Sequence, residues 1–306
     1  MKKRIFPLMV TCVFLFGLSL AAAQTTAPTA PPNVLWIIRE DVKPARGAAH
    51  ERTEHGYAQF WAKAKVQNYY ALDAMSGNLT ESLFVTGYPS FEAFEKDFQA
   101  FGKATTGPMK AEYEALAQQE AGLVNGVRSM VAVFRPDLSY IPPSVIPLAQ
   151  TRYFQIVTLR VRPGREADFA AGAKTYFEAL KKANVEQPAA IFQAVSGAPQ
   201  GTYLIFERMK SLKEMDGVPA RQKAIAEAMG EENFKQLQKG AADTFTVVDS
   251  NLYAINPHMS YPAKEVAAAD PAFWSPKPKA AAKTATATKK EGDKTGAAPA
   301  KTGGTK

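Results

Sequence analysis

The sequence predicts an α+β fold in which one βαββαβ unit occurs twice in tandem. The main observation is an internal repeat, because the segment Tyr113 to Tyr140 matches the segment Phe234 to Tyr261 without a gap at a shift of 121 residues. Both segments end in the pattern Pro-x-x-Ser-Tyr. A repeat this long is a whole small fold used twice, since solenoid units span only about 20 to 50 residues. Earlier matches lie at nearly the same shift: Val42 with Val161, Ser76 with Ser196, and Ser90 with Ser211.

The second copy, residues 151–262, shows the order of its elements most clearly. Runs rich in β-branched and aromatic residues predict strands at 153–161, 190–196, 202–208 and 245–255. A first helix follows the first strand, and a second helical region runs from Ser211 to about Lys239 with breaks near Gly217 and Gly230. The apolar residues of the first helix recur at intervals of three and four: Phe169, Ala173, Tyr176, Phe177 and Leu180.

The first copy, residues 33–141, repeats this order, and a proline-rich linker at 142–150 separates the two. Its strands are predicted near 34–39, 72–76, 82–86 and 129–134. Ser90 is a natural N-cap for the second helix, and Ser211 occupies the same place in the second copy. Two helical stripes are apolar: Tyr57, Phe60, Trp61 and Ala64, then Phe91, Phe94, Phe98 and Phe101.

Several strands are apolar on both faces, as at Ile191 and Phe192. A βαββαβ unit covers only one face of its antiparallel sheet with helices. The other face needs a partner, and the simplest partner is the sheet of the other copy.

In element order and duplication, residues 33–261 resemble the dimeric α+β barrel superfamily, whose repeating unit is ferredoxin-like. Its members include proteins similar to antibiotic-biosynthesis-type monooxygenases, haem-handling enzymes, stress-responsive barrels and the NIPSNAP-like group. Most of these assemble from two chains, so the resemblance implies an intrachain pseudo-dimeric barrel here. It also implies a ligand site between a sheet and its helices or inside the barrel. No family catalytic motif is present, so no functional residue is taken from the resemblance.

Both ends of the chain are predicted to lie outside this fold. Residues 1–23 have the basic start, apolar run and small residues of a signal peptide, which predicts export to the periplasm or the medium and no membrane anchor after cleavage. Residues 275–306 hold eight lysines and, apart from proline, no apolar side chain larger than alanine. This composition predicts a disordered tail. Such a tail could contact anionic envelope polymers.

Composition excludes several classes of function. The tail contributes about +6 and the signal start +3, so the formal charge of +8 leaves the core near −1 and predicts no nucleic-acid partner. The only cysteine, Cys12, lies in the signal peptide, which excludes disulfides and thiolate chemistry in the mature chain. Gly-rich phosphate loops are absent from the sequence.

Chemistry is expected where the two copies differ, and histidine is the clearest difference. His50 and His55 both lie at the start of the first helix, five residues apart, so a regular helix cannot direct both at one metal ion. His50 does share a face with Glu54, and Glu51 shares one with His55. Either pair could hold a metal ion with a third ligand such as Asp41, or orient an imidazole for proton transfer. We assign no metal ligands at this stage.

The candidate site residues come from this helix and from the aromatic stripes. We take His55, Tyr57 and Glu51 as the candidate catalytic residues. The candidate ligand-binding residues are Trp61, Phe60, Tyr69 and Tyr176. The alternative is that these aromatic residues are plain core.

Three functions fit these observations, and no cofactor can be named. The first is a noncatalytic exported scaffold or a barrel that binds a small apolar or aromatic ligand. The second is a barrel-type oxidoreductase, cofactor-independent or haem-linked. The third is an envelope tether that acts through the basic tail. A cavity of several hundred Å³ would favour a ligand carrier or an enzyme, whereas a filled interior would favour a scaffold.

Overall fold

The computed structural model describes residues 30–275, and within them eight strands form one closed barrel. The predicted signal peptide, and the predicted tail apart from Ser275, lie outside the described residues. Within residues 30–275, none of the helices combines the length and the apolar composition that a membrane crossing requires. The strands are β1 Val34–Val42, β2 Tyr69–Ala74, β3 Glu81–Tyr88, β4 Val124–Phe134, β5 Tyr153–Val161, β6 Ala190–Ser196, β7 Thr202–Met209 and β8 Phe245–Tyr261.

The order of strands around the barrel is β1-β3-β2-β8-β5-β7-β6-β4, and every neighbouring pair is antiparallel. Each half therefore contributes its strands in the order fourth, first, third, second. The halves join twice, once where β2 pairs with β8 and once where β4 pairs with β6. The two sheets thus meet along their edges as well as face to face. Edge pairing satisfies the backbone groups that two separately packed sheets would leave open.

Helices cover the outside of the barrel in both halves. In the first half, α3 is a helix that the sequence analysis did not predict. Ser90 caps α2 as expected, because its hydroxyl accepts a hydrogen bond from the amide of Ala93 at 3.2 Å, and Ser211 caps the matching region of the second half. The helices are α1 Gly47–Ala64, α2 Phe91–Thr106, α3 Lys110–Ala121, α4 Glu166–Lys182, α5 Val218–Met229, α6 Glu231–Thr244, α7 Lys264–Ala269 and α8 Pro271–Trp274.

Apolar side chains fill the inside of the barrel. Leu72, Ile156 and Leu204 are almost fully buried there, and a partly open pocket of about 100 Å³ lies beside this core. The short helices α7 and α8 pack on this core, where the Trp274 indole N–H donates to the carbonyl of Ala149 at 3.0 Å.

The two Pro-x-x-Ser-Tyr endings make the same contact in each half. The Ser139 hydroxyl accepts a hydrogen bond from the amide of Ile191 at 2.9 Å, and the Ser260 hydroxyl accepts one from the amide of Ala71 at 2.9 Å. Each bond joins one half of the chain to the other. The second ending lies within β8, which runs to Tyr261 instead of ending at residue 255.

Candidate functional site

A cavity of about 380 Å³ lies between the outer face of the first half's strands and helices α1 to α3. Strand β1 reaches it with alternate residues, as the period of two in a strand requires. Trp36, Ile38 and Glu40 line the cavity, whereas Leu35 and Ile37 point into the barrel core. Strand β1 thus contributes side chains both to the barrel core and to one wall of the cavity.

Helix α1 forms the opposite wall. Glu54, Tyr57 and Trp61 follow one another at helical spacing and line the cavity together. His50 lies one turn earlier on the same face, is almost fully buried, and lies behind the cavity wall.

Eight aromatic side chains line the cavity. The rings of Trp61 and Phe101 stack with centroids 4.3 Å apart, and Tyr57 stacks on Trp61 at 6.3 Å. Such rings hold their positions by contact with one another, so the apolar wall is largely preformed. The other rings that line the cavity are Trp36, Tyr69, Phe84, Tyr88 and Tyr113.

Four polar side chains meet at one side of this aromatic surface: Glu40 from β1, His50 and Glu54 from α1, and Glu120 from the end of α3. One possible ligand atom from each lies within 4.8 Å of those of the other three. The Nε2 of His50 lies 2.8 Å from a Glu40 carboxylate oxygen and 3.5 Å from one of Glu120. We call these four residues the acid cluster.

Burial and mutual repulsion change the proton affinity of the acid cluster. Burial raises the pKa of Glu54 well above its usual range, and the charges of Glu40 and Glu120 add to this rise. Burial also raises the pKa of Glu120 to about 7, with a further rise from Glu40 and an opposing effect from His50. Burial alone would lower the pKa of His50, but the hydrogen bond to Glu40 and the charge of Glu120 outweigh it, so the pKa is raised.

Two buried side chains at the cavity have polar atoms without a hydrogen-bond partner. The hydroxyl of Tyr69 is one, and both carboxylate oxygens of Glu120 are the others. Tyr69 is 8% exposed and Glu120 is 9% exposed, so neither relies on bulk water. Buried polar groups are nearly always hydrogen-bonded in folded proteins, and an unpaired one costs about 1 to 3 kcal/mol. Such groups indicate a place where a ligand supplies the missing partner.

The structure brings three of the predicted site residues together. Tyr57, Trp61 and Tyr69 all line the cavity. Phe60 does not line it, because its fully buried ring packs into the adjoining core. Tyr176 lines a different and larger cavity of about 630 Å³ in the matching place of the second half. Within residues 30–275, no side chain lining that second cavity has a buried polar atom without a partner.

The other predicted residues lie away from the first cavity. His55 is exposed, and its ring contacts the carbonyl of His258 at 2.9 Å and the side chain of Gln59. Glu51 lines a separate cavity of about 320 Å³ that lies on the far side of His50. Asp41, suggested above as a third ligand, instead accepts hydrogen bonds from Thr80 and Asn125.

Sequence reasoning found the pairing of His50 with Glu54 but missed Glu40 and Glu120. The signal was available, because all four cluster positions differ between the copies. At the shifts of 119 and 121 residues, the positions of the acid cluster correspond in the second half to Leu159, Phe169, Ala173 and Ala241. The second half is thus apolar wherever the first half carries the acid cluster.

Comparisons with known proteins show similar structures at very low sequence identity. Neither a family model nor a curated protein sequence matches the chain. A candidate monooxygenase from Fusobacterium nucleatum is 12% identical, with a TM-score of 0.48, over 74% of this chain and 93% of that one. An anthrone oxidase-like protein is 10% identical, with a TM-score of 0.48, over 77% and 96%. A chlorite dismutase from Candidatus Nitrospira defluvii is 10% identical, with a TM-score of 0.40, over 75% and 93%.

Proposed function

We propose that this protein binds a small planar ligand in the aromatic cavity of its first half. The single observation that carries the proposal is the buried Tyr69 hydroxyl, which lacks a hydrogen-bond partner in a cavity lined by eight aromatic side chains. Ligand sites in proteins are typically cavities of about 300 to 1,000 Å³, mostly apolar, with a few polar groups that fix orientation. A cavity of about 380 Å³ is large enough for a molecule of two or three fused rings.

The ligand's chemistry follows from the lining. The aromatic side chains that line the cavity offer apolar contact to a ring, and the Tyr69 hydroxyl offers one hydrogen bond to a polar substituent. The nearby carboxyl groups of the acid cluster favour a neutral or hydroxylated molecule over an anionic one. We therefore propose an aromatic ligand that carries a hydroxyl or carbonyl group.

Isothermal titration calorimetry with 2-naphthol as the probe tests this function. We expect saturable binding to the full chain, with affinity reduced about threefold to tenfold in Tyr69→Phe, because that variant loses one hydrogen bond and keeps the ring. Tyr176→Phe is the matched control, since it makes the same change in the other cavity and should leave the affinity as it is. Equal affinity in both variants, or no saturable binding, would overturn the assignment of this cavity.

Catalysis on the bound ring is the second candidate function. It is favoured by the three carboxyl groups of the acid cluster, which border the cavity and could exchange a proton with the hydroxyl of an electron-rich substrate. Molecular oxygen would be the oxidant: one of its atoms would become a carbonyl oxygen on the ring and the other would leave as water, so that 1-naphthol and O₂ would give a naphthoquinone and water. Oxygen consumption during incubation with 1-naphthol, lost in Glu54→Gln, would support it. Binding without oxygen consumption would leave the carrier role.

The architecture and the ends of the chain complete the proposal. We propose that the barrel is a tandem duplication of a ferredoxin-like unit, supported by the repeated serine bonds and the identical strand order of the two halves. We also propose export by residues 1–23 and attachment of the basic tail to anionic envelope polymers. Removing residues 275–306 tests the attachment, because the truncated chain should no longer bind these polymers. In the full chain, added salt should weaken the binding by screening the charges of the tail.

A further inference from the structure

The acid cluster has the composition and the spacing of a metal site. Three carboxylates and one imidazole converge from three different elements, and their possible ligand atoms all lie within 4.8 Å of one another. Ligands on opposite sides of one ion lie about 4.2 to 4.8 Å apart when each bond is about 2.1 to 2.4 Å long. The largest separation in the cluster is therefore compatible with a single ion at its centre.

An independent observation points to a ligand at this place. Glu120 is 9% exposed, points into the cluster, and neither of its carboxylate oxygens has a hydrogen-bond partner. Its nearest cationic group is the Nε2 of His50, which lies 3.5 Å from one of the oxygens without a hydrogen bond between them. A buried carboxylate that accepts no hydrogen bond is costly. A cation at the centre of the cluster would satisfy Glu120 and would also balance the charges of Glu40 and Glu54.

The second half of the barrel shows that the fold does not need these charges. The positions that correspond to the acid cluster hold leucine, phenylalanine and alanine, and the helices there still pack on the sheet. Apolar side chains at these positions are thus sufficient for packing in the second half of the same chain. The four polar residues of the first half call for a different explanation.

We propose that Glu40, His50, Glu54 and Glu120 bind one divalent transition-metal cation beside the aromatic cavity. Mixed oxygen and imidazole ligands suit Mn²⁺, Fe²⁺ and Zn²⁺, whereas Ca²⁺ and Mg²⁺ prefer oxygen alone and Cu⁺ prefers sulfur. The ion would take the place of the hydrogen bond that now joins the Nε2 of His50 to Glu40. Three of the four ligand residues line the cavity, which gives the ion a route of entry and leaves room for a further ligand.

This inference goes beyond the proposed ligand and does not depend on it. The test uses the full chain, free of any affinity tag and treated with a chelator that is then removed. Titration calorimetry with MnCl₂ and ZnCl₂, with elemental analysis of the dialysed protein, should give one ion per chain. The ion should also raise the melting temperature, since it binds only the folded state.

Variants at the cluster separate this site from adventitious binding. Glu120→Gln should weaken Mn²⁺ binding by about tenfold or more, because the loss of groups that support or ligate a metal costs at least that much. Glu114→Gln makes the same change on the exposed face of α3 and should bind like the wild type. His258→Asn removes the exposed imidazole that faces His55 across 6.4 Å and should also bind like the wild type.

A spectroscopic measurement keeps the test valid if a variant folds poorly. Pulsed electron paramagnetic resonance of wild-type protein with bound Mn²⁺ should show nitrogen coupling from one imidazole, and His258→Asn should keep that coupling. No binding of either ion at millimolar concentration would overturn the proposal. Bound Mn²⁺ without nitrogen coupling, or binding lost in His258→Asn, would overturn it as well. Failure to bind 2-naphthol would overturn only the proposed ligand.

Discussion

Replacing Glu120 with glutamine should change how the stability of the protein depends on pH. Burial raises the pKa of Glu120 to about 7 in the folded chain, compared with the ordinary value of 4.5. Between these two pH values the folded state keeps a proton that the unfolded state has lost. The free energy of unfolding must therefore fall as the pH rises through this window, and it should level off above about pH 8.

The size of the effect follows from the difference in pKa. A difference of about 2.5 pKa units corresponds to about 3 kcal/mol, at about 1.4 kcal/mol per unit. His50 acts in the same direction, because its raised pKa contributes stability that is lost as the pH rises through the folded value. Glutamine cannot ionise, so Glu120→Gln should remove the Glu120 share and reduce that of His50.

Urea unfolding measured from pH 5 to pH 8 in the presence of a chelator checks this prediction. The wild type should lose about 3 kcal/mol more than Glu120→Gln over this range. Glu114→Gln, on the exposed face of the same helix, should follow the wild type. Parallel pH profiles for the wild type and Glu120→Gln would mean that the folded protein carries an ionised Glu120 throughout, and the reasoning from burial would be refuted.

Three further predictions concern the packing of the barrel. Trp61→Ala should lower the free energy of unfolding by about 3 to 5 kcal/mol, because the ring packs between helices and is 8% exposed, and a near-neutral urea titration would contradict that packing. Gly197→Ala should lower the melting temperature, because Gly197 has a φ of +76° and a Cβ there would lie 2.1 Å from the carbonyl oxygen of Ser129. An unchanged melting temperature would contradict this backbone conformation of Gly197. Ser260→Ala should cost about 1 to 3 kcal/mol by leaving the buried amide of Ala71 without its partner, as urea unfolding would show.

Much of the fold could be predicted from the sequence because the internal repeat allows the pattern of each element to be compared with that of its counterpart in the other half. All eight predicted strands overlap observed ones, although β2 begins at Tyr69, β4 begins at Val124 and β8 continues to Tyr261. The extension of β8 was missed because Pro257 cannot donate a hydrogen bond and therefore suggests a strand end. Helix α3 was missed because its residues have almost no apolar stripe.

The site was harder to predict, and the reason is physical. Helical spacing alone brings His50 and Glu54 to one face, so that pair was visible in the sequence. Glu40 and Glu120 join them only through the pairing of β1 within the sheet and the packing of α3 on α1. Contacts of that kind depend on tertiary structure, and no local pattern encodes them. The sequence also does not show which residues of an aromatic stripe line a cavity, since Phe60 and Trp61 are neighbours in sequence but only Trp61 reaches the cavity.

The closed ring of eight strands has a consequence for how the protein responds to dilution. A barrel assembled from two chains falls apart when its concentration drops below the dissociation constant of the pair. Here a single polypeptide supplies both halves of the ring, so closing the ring needs no second chain. The midpoint of thermal denaturation should therefore be the same at nanomolar and at micromolar protein.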